Sequence, residues 1–136
     1  MVVVDACVAM SWVAPHSRSD EDYGARVSEH GRSTPHSLIA PAVMTAECSH
    51  ALLRRSRRDR WSDTRLVSAT DLIVRHAVRL RRNRRSVSEQ VRFALDHHVQ
   101  GFDSHYLALA IETGAAIATV DKGLRAAAQR AGVEVF

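Results

Sequence analysis

The chain has 136 residues, of which 46% are hydrophobic and 25% charged, the balance of a globular protein and not of a disordered or low-complexity one. That length predicts a single domain over residues 1–136, with roughly two-thirds of the unfolded surface buried and no room for a separate substrate module. Two cysteines, Cys7 and Cys48, with no C-x-x-C pair exclude a disulfide framework and the common structural zinc patterns.

No apolar stretch approaches the roughly 18 residues of a membrane span, and the first 15 residues lack the basic start of a signal peptide, so a soluble, cytoplasmic protein is expected. The formal net charge is +4, and 18 of the 19 basic residues are arginine, 12 of them between positions 54 and 85. Two readings stay open for this run. Arginine-rich codon usage on solvated helix faces explains it without function; a surface facing phosphates explains it through bidentate guanidinium contacts.

In chain order, the β-branched run Val2–Val4 suits a buried parallel strand. Residues 7–13 read as a first helix, ended by Pro15, and residues 20–30 as a polar helix stopped at Gly31. Residues 38–40 read as a short strand, with Pro41 in the first turn of a helix over 42–57. Residues 62–78 form another helical pattern, with Leu66, Ala69, Leu72, Ile73 and Ala77 at core spacing. A helix over 86–99 stops at Gly101. The next, Asp103–Thr113, ends at Gly114 in the position that favours a left-handed terminus. A strand over 115–120, a helix over 122–131 ending at Gly132, and a last strand over 133–135 complete the chain. Strands separated by helices pair in parallel through right-handed crossovers, which gives a three-layer α/β/α fold with a short parallel sheet.

Four carboxylates stand out. Asp5 and Asp121 each end a strand and open a helix, at the edge where parallel sheets place ligand sites. Asp103 opens a helix that is otherwise nearly all apolar. Each of the three also suits a helix N-terminus on energetic grounds. Glu47 is the sole formally charged residue between Ala42 and Leu53 and projects from an apolar face. Its burial requires a compensating partner: either Arg54, two turns along, or a divalent cation shared by converging acids.

The segments Val-Val-Val-Asp5-Ala-Cys-Val-Ala-Met-Ser-Trp12, Pro41-Ala-Val-Met-Thr-Ala-Glu47, Phe102-Asp103-Ser-His-Tyr106-Leu-Ala-Leu-Ala110 and Ala118-Thr119-Val120-Asp121-Lys-Gly-Leu124 together resemble the four acidic motifs of VapC-type PIN-domain ribonuclease toxins. The likeness runs the length of the chain. It implies a PIN-like fold and an endoribonuclease that hydrolyses RNA phosphodiester bonds with Mg2+, or alternatively Mn2+. It further implies the toxin role in a type II toxin–antitoxin pair, neutralised by a cognate antitoxin protein, and a homodimer.

On this resemblance Asp5, Glu47, Asp103 and Asp121 are catalytic, and Asp5, Asp103 and Asp121 hold metal that activates the attacking water. Glu47 acts as a base or binds through water. Thr119, Cys7 and His50 support the site from outside the ligand set. Cys7 stands where the family usually has Ser or Thr, and His50 where it usually has Asn. Arg54, Arg55, Arg58, Arg81 and Arg82 are candidate RNA contacts.

The alternative is a catalytically weak or inactive PIN module that binds RNA or a protein partner. A phosphoacceptor receiver domain is disfavoured because Asp5 stands alone and Lys122 directly follows Asp121. A haloacid-dehalogenase-type phosphatase is disfavoured because Cys7 occupies the place of its second Asp.

Overall fold

A computed structural model describes residues 1–136. Four parallel strands form one sheet: β1 (Val2–Val4), β2 (Leu38–Pro41), β3 (Arg79–Arg81) and β4 (Ala116–Ala118), in spatial order β3-β2-β1-β4. Seven helices flank it: α1 (Ala6–Ser11), α2 (Arg18–Ser33), α3 (Met44–Arg58), α4 (Asp63–Arg75), α5 (Val87–Asp96), α6 (Asp103–Thr113) and α7 (Lys122–Arg130). This is the expected three-layer α/β/α architecture. β1 lies between β2 and β4, with Val3 opposite both Ile39 and Ile117. Val3 packs into one core cluster and Val2 and Val4 into the other, so both faces of β1 are buried, which is why it reads as an unbroken valine run.

The larger core packs Val3, Ile39 and Ile117 of the sheet against Tyr106, Leu107 and Ala110 of α6 and Leu124 of α7. A smaller cluster on the opposite face joins Val2, Val4, Val8, Val27 and Leu38. α6 is apolar through its middle because Tyr106, Leu107, Ala108, Leu109 and Ala110 lie buried between the sheet and its neighbouring helices, whereas Ile111 and Glu112 face solvent. Ser17, Ser62 and Ser86 cap α2, α4 and α5 through their side chains, and Ser86 with Glu89 completes a reciprocal capping box. Gly114 takes φ 62° at the end of α6, the left-handed conformation expected for it.

Several expectations are corrected. Gly31 does not stop α2, which continues to Ser33. A Cβ at position 31 would come within 2.6 Å of Leu38 Cδ1, so the glycine lets the helix approach β2. Pro41 ends β2 instead of opening α3. The helix expected over 62–78 stops at Arg75; Ala77 has φ 52° and lies exposed, and the chain then forms β3. That strand, Arg-Leu-Arg, is exposed throughout and has no hydrophobic signature; backbone pairing with β2 defines it. The expected last strand reduces to a single bridge, Ile117 with Val135.

Candidate active site

Because all strands run the same way, their carboxyl ends share one edge, and each delivers a functional group there. β1 delivers Asp5, β2 leads into α3 and Glu47, β3 ends at Arg81, and β4 leads through Thr119 to Asp121. α6 begins with Asp103.

Asp5 occupies the N-cap position of α1 but makes no capping hydrogen bond with its side chain. Its carboxylate turns instead toward β4. Oδ2 accepts a 2.6 Å bond from the Thr119 hydroxyl and a 2.8 Å bond from the Cys7 thiol. Thr119 is fully buried and links two acids, since its oxygen also accepts the Asp121 N–H at 3.0 Å. Arg125 donates to the Thr119 carbonyl at 2.8 Å, holding the turn between β4 and α7. Asp121 does cap its helix, with Oδ1 accepting the Leu124 N–H at 2.8 Å.

Glu47 is half-buried on α3. Its Oε2 accepts a 2.5 Å bond from the hydroxyl of Tyr106, a fully buried side chain on α6. The cation considered as its partner, Arg54, forms no ion pair with it; the five ion pairs of the molecule all involve other acids. Tyr106 reads in sequence as one more apolar residue. The signal it does give is a phenol in a buried run, one turn after Asp103, which needs an acceptor.

The electrostatics are those of an uncompensated acidic cluster. Burial raises the carboxyl of Asp5 above its ordinary value against the opposing effect of Cys7 and Thr119. Glu47 is raised by burial, with Tyr106 opposing and the Asp5 charge reinforcing. Asp103 is raised to about 6, first by burial and then by the charges of Asp5, Asp121 and Glu47. Charges from distant parts of the chain therefore act on Asp103 and Glu47, and no guanidinium forms an ion pair with either. Cys7 is pushed up to about 12, by burial and then by Asp5, so it is a thiol at neutral pH and serves Asp5 as a donor. Cys48 is also raised to about 12, and is a buried thiol on α3.

Carboxylate oxygens are the donors that a hard divalent cation takes, and unneutralised negative charge favours its entry. In donor type these residues fit Mg2+ or Mn2+. In spacing they form an open cluster, since no three His, Cys, Asp or Glu side chains stand close enough together to ligate one ion.

The other residues expected at the site fall outside this cluster. His50 is exposed on α3. Arg55 pairs with Asp59 at 2.5 Å and donates to the Ala14 carbonyl, while Arg58 pairs with the other oxygen of Asp59 at 3.0 Å. Arg54, Arg81 and Arg82 are exposed. Arg81 and Arg82 line a small cleft with Asn83, Arg85 and, on α6, His105, Leu109 and Glu112.

The structure thus pairs a parallel α/β sheet with acids at its carboxyl edge. The family assignment follows from the sequence itself: residues 2–130 match the PIN domain model, so the chain belongs to the PIN-domain family. Among solved structures it is similar to the crystal structure of PAE2754 from Pyrobaculum aerophilum, with a TM-score of 0.65 over 93% of this chain and 78% of that one. At 19% identity this likeness speaks for the fold alone. No curated protein is a significant match. No helix is long and apolar enough to cross a membrane.

Proposed function

We propose that this single-domain chain is a metal-dependent endoribonuclease, the toxin of a type II toxin–antitoxin pair that works in the cytoplasm. The observation that carries the reading is the cluster of Asp5, Glu47, Asp103 and Asp121, drawn from four elements to one sheet edge and left without a cationic partner. Asp5, Asp103 and Asp121 would hold Mg2+ or Mn2+, which supplies water activation and charge neutralisation at the scissile phosphate. Thr119 and Cys7 hold the Asp5 carboxylate in place by hydrogen bonds. Glu47 takes the proton of the attacking water. Exposed arginines, Arg54, Arg81 and Arg82 foremost, hold the RNA backbone through its phosphates.

The neutralising partner is a small antitoxin protein. An apolar groove of about 290 Å3 supports it, bounded by Met44, Cys48 and Leu52 of α3, Ile73 and Val74 of α4, and Val78. A homodimer belongs to the same reading. The open spacing of the acids favours one second reading, a non-catalytic PIN module that binds RNA or a protein partner.

One experiment separates the two. The purified chain is incubated with structured RNA in Mg2+, in Mn2+ and in chelator, alongside Asp103→Asn. Metal-dependent cleavage lost in the variant supports the enzyme. Binding without cleavage under either metal supports the module.

A further inference from the structure

We propose that Tyr106 is a positioning residue for Glu47: its buried hydroxyl ties one carboxylate oxygen to α6 and so fixes where the other oxygen faces. This rests on the nuclease reading of the same site and adds a residue to it. Tyr106 is fully buried, and its hydroxyl lies 2.5 Å from Glu47 Oε2. That bond is the sole hydrogen bond of either side chain. Glu47 is on α3 and Tyr106 on α6, 59 positions apart, so the bond ties together two elements distant in the chain.

The phenol acts with the helix that carries Asp103. Positions 103 and 106 are three apart, so both side chains lie on one side of α6. The rigid helix thus presents Asp103 directly and holds Glu47 through Tyr106. A glutamate has three rotatable bonds, and without an anchor it samples several orientations at the site's edge. Engaging Oε2 removes that freedom and leaves Oε1 to accept a proton. A 1 Å error in such a group is costly in rate, which is why a fixed rotamer matters.

Phenylalanine keeps the ring and its packing and removes only the hydroxyl, so Tyr106→Phe tests the bond. RNA cleavage in Mn2+ is measured for the native chain, Tyr106→Phe, Glu47→Gln and the double variant. Tyr106→Phe is expected to lower kcat about tenfold with KM within about twofold, the size of a lost hydrogen bond to a charged group. In the Glu47→Gln background the same change is expected to cost less than about twofold, because nothing remains to be positioned. A full tenfold loss in that background, or no loss in the native one, overturns the proposal.

Mn2+ affinity of the four proteins gives a second readout that needs no turnover. A native chain that binds Mn2+ but cleaves nothing refutes the nuclease reading; the proposal then stands if Tyr106→Phe alone weakens Mn2+ about threefold and adds nothing to Glu47→Gln. Unchanged affinity in that case overturns it, and a native chain that neither cleaves nor binds Mn2+ overturns both.

Discussion

At the carboxyl edge of the sheet, Asp5 is buried, Glu47 and Asp103 are half-buried, and no guanidinium stands against any of them. Along residues 54–85 the charges are mostly of the other sign and mostly stand in water, and Arg55 and Arg58 share Asp59 as an acid partner. The first region accumulates repulsion in a desolvated place; the second disperses its charge where water screens it. Exposed arginines cost the fold little, so their number says little about their use. Buried unpaired carboxylates do cost the fold, which makes them the stronger indication of function.

The comparison is broken most severely at Asp5. On the proposed nuclease reading, Asp5→Asn should reduce metal-dependent RNA cleavage about a thousandfold, while single arginine replacements should change it only severalfold; end-point mapping on RNA gels measures both. If Asp5→Asn cleaves as well as the native chain, the acidic edge is not the site.

Stability should divide the molecule along the same line. Leu107→Ala, in the fully buried part of α6, is expected to cost about 3 kcal/mol in urea unfolding. Leu72→Ala, on the exposed side of α4, should stay within about 0.5 kcal/mol.

The repulsion itself is measurable through pH. In the metal-free fold Asp103 titrates at about 6 against an ordinary 3.8. Between those values the folded chain keeps a proton that the unfolded chain has released, so stability falls as pH rises through this window. Asp103→Asn removes the charge and should stabilise the metal-free protein by about 1 kcal/mol near pH 7.5, a figure reduced for solvent screening of a half-buried group. Near pH 4 the gain should vanish. Thermal unfolding with chelator at both pH values gives the sign.

The smallest effect belongs to the basic region. Arg82→Ala should lower the slope of log affinity for single-stranded RNA against log salt by about 0.7, one phosphate contact, uniformly across sequences. An unchanged slope would return this arginine to the class of solvated surface charges.

What could be read from the sequence follows the same division. β1 and α6 were legible because burial imposes their composition: three valines in one, an apolar run ended by Gly114 in the other. β3 was hidden because an exposed edge strand needs no apolar pattern, and Arg79 and Arg81 resemble the arginines around them. Gly31 reads as a stop because a glycine near a helix end signals one, whereas here it gives room to the buried Leu38 side chain. At the site, the acids were legible as charges in apolar surroundings. Tyr106 was not, since a tyrosine among leucines and alanines reads as core until its hydroxyl is seen to bond to Glu47. The Thr119 bridge between Asp5 and the Asp121 backbone likewise depends on side-chain geometry that spacing does not encode.

The sheet is not closed on its β3 side. Beyond Arg79-Leu80-Arg81 the outer row of amides and carbonyls faces no further strand, and such a margin can recruit a neighbouring chain. Two guanidinium groups on a three-residue strand repel an identical strand and keep that margin unjoined. Removing them would therefore leave that margin free to join a copy of itself, with clumping in concentrated stocks as its sign.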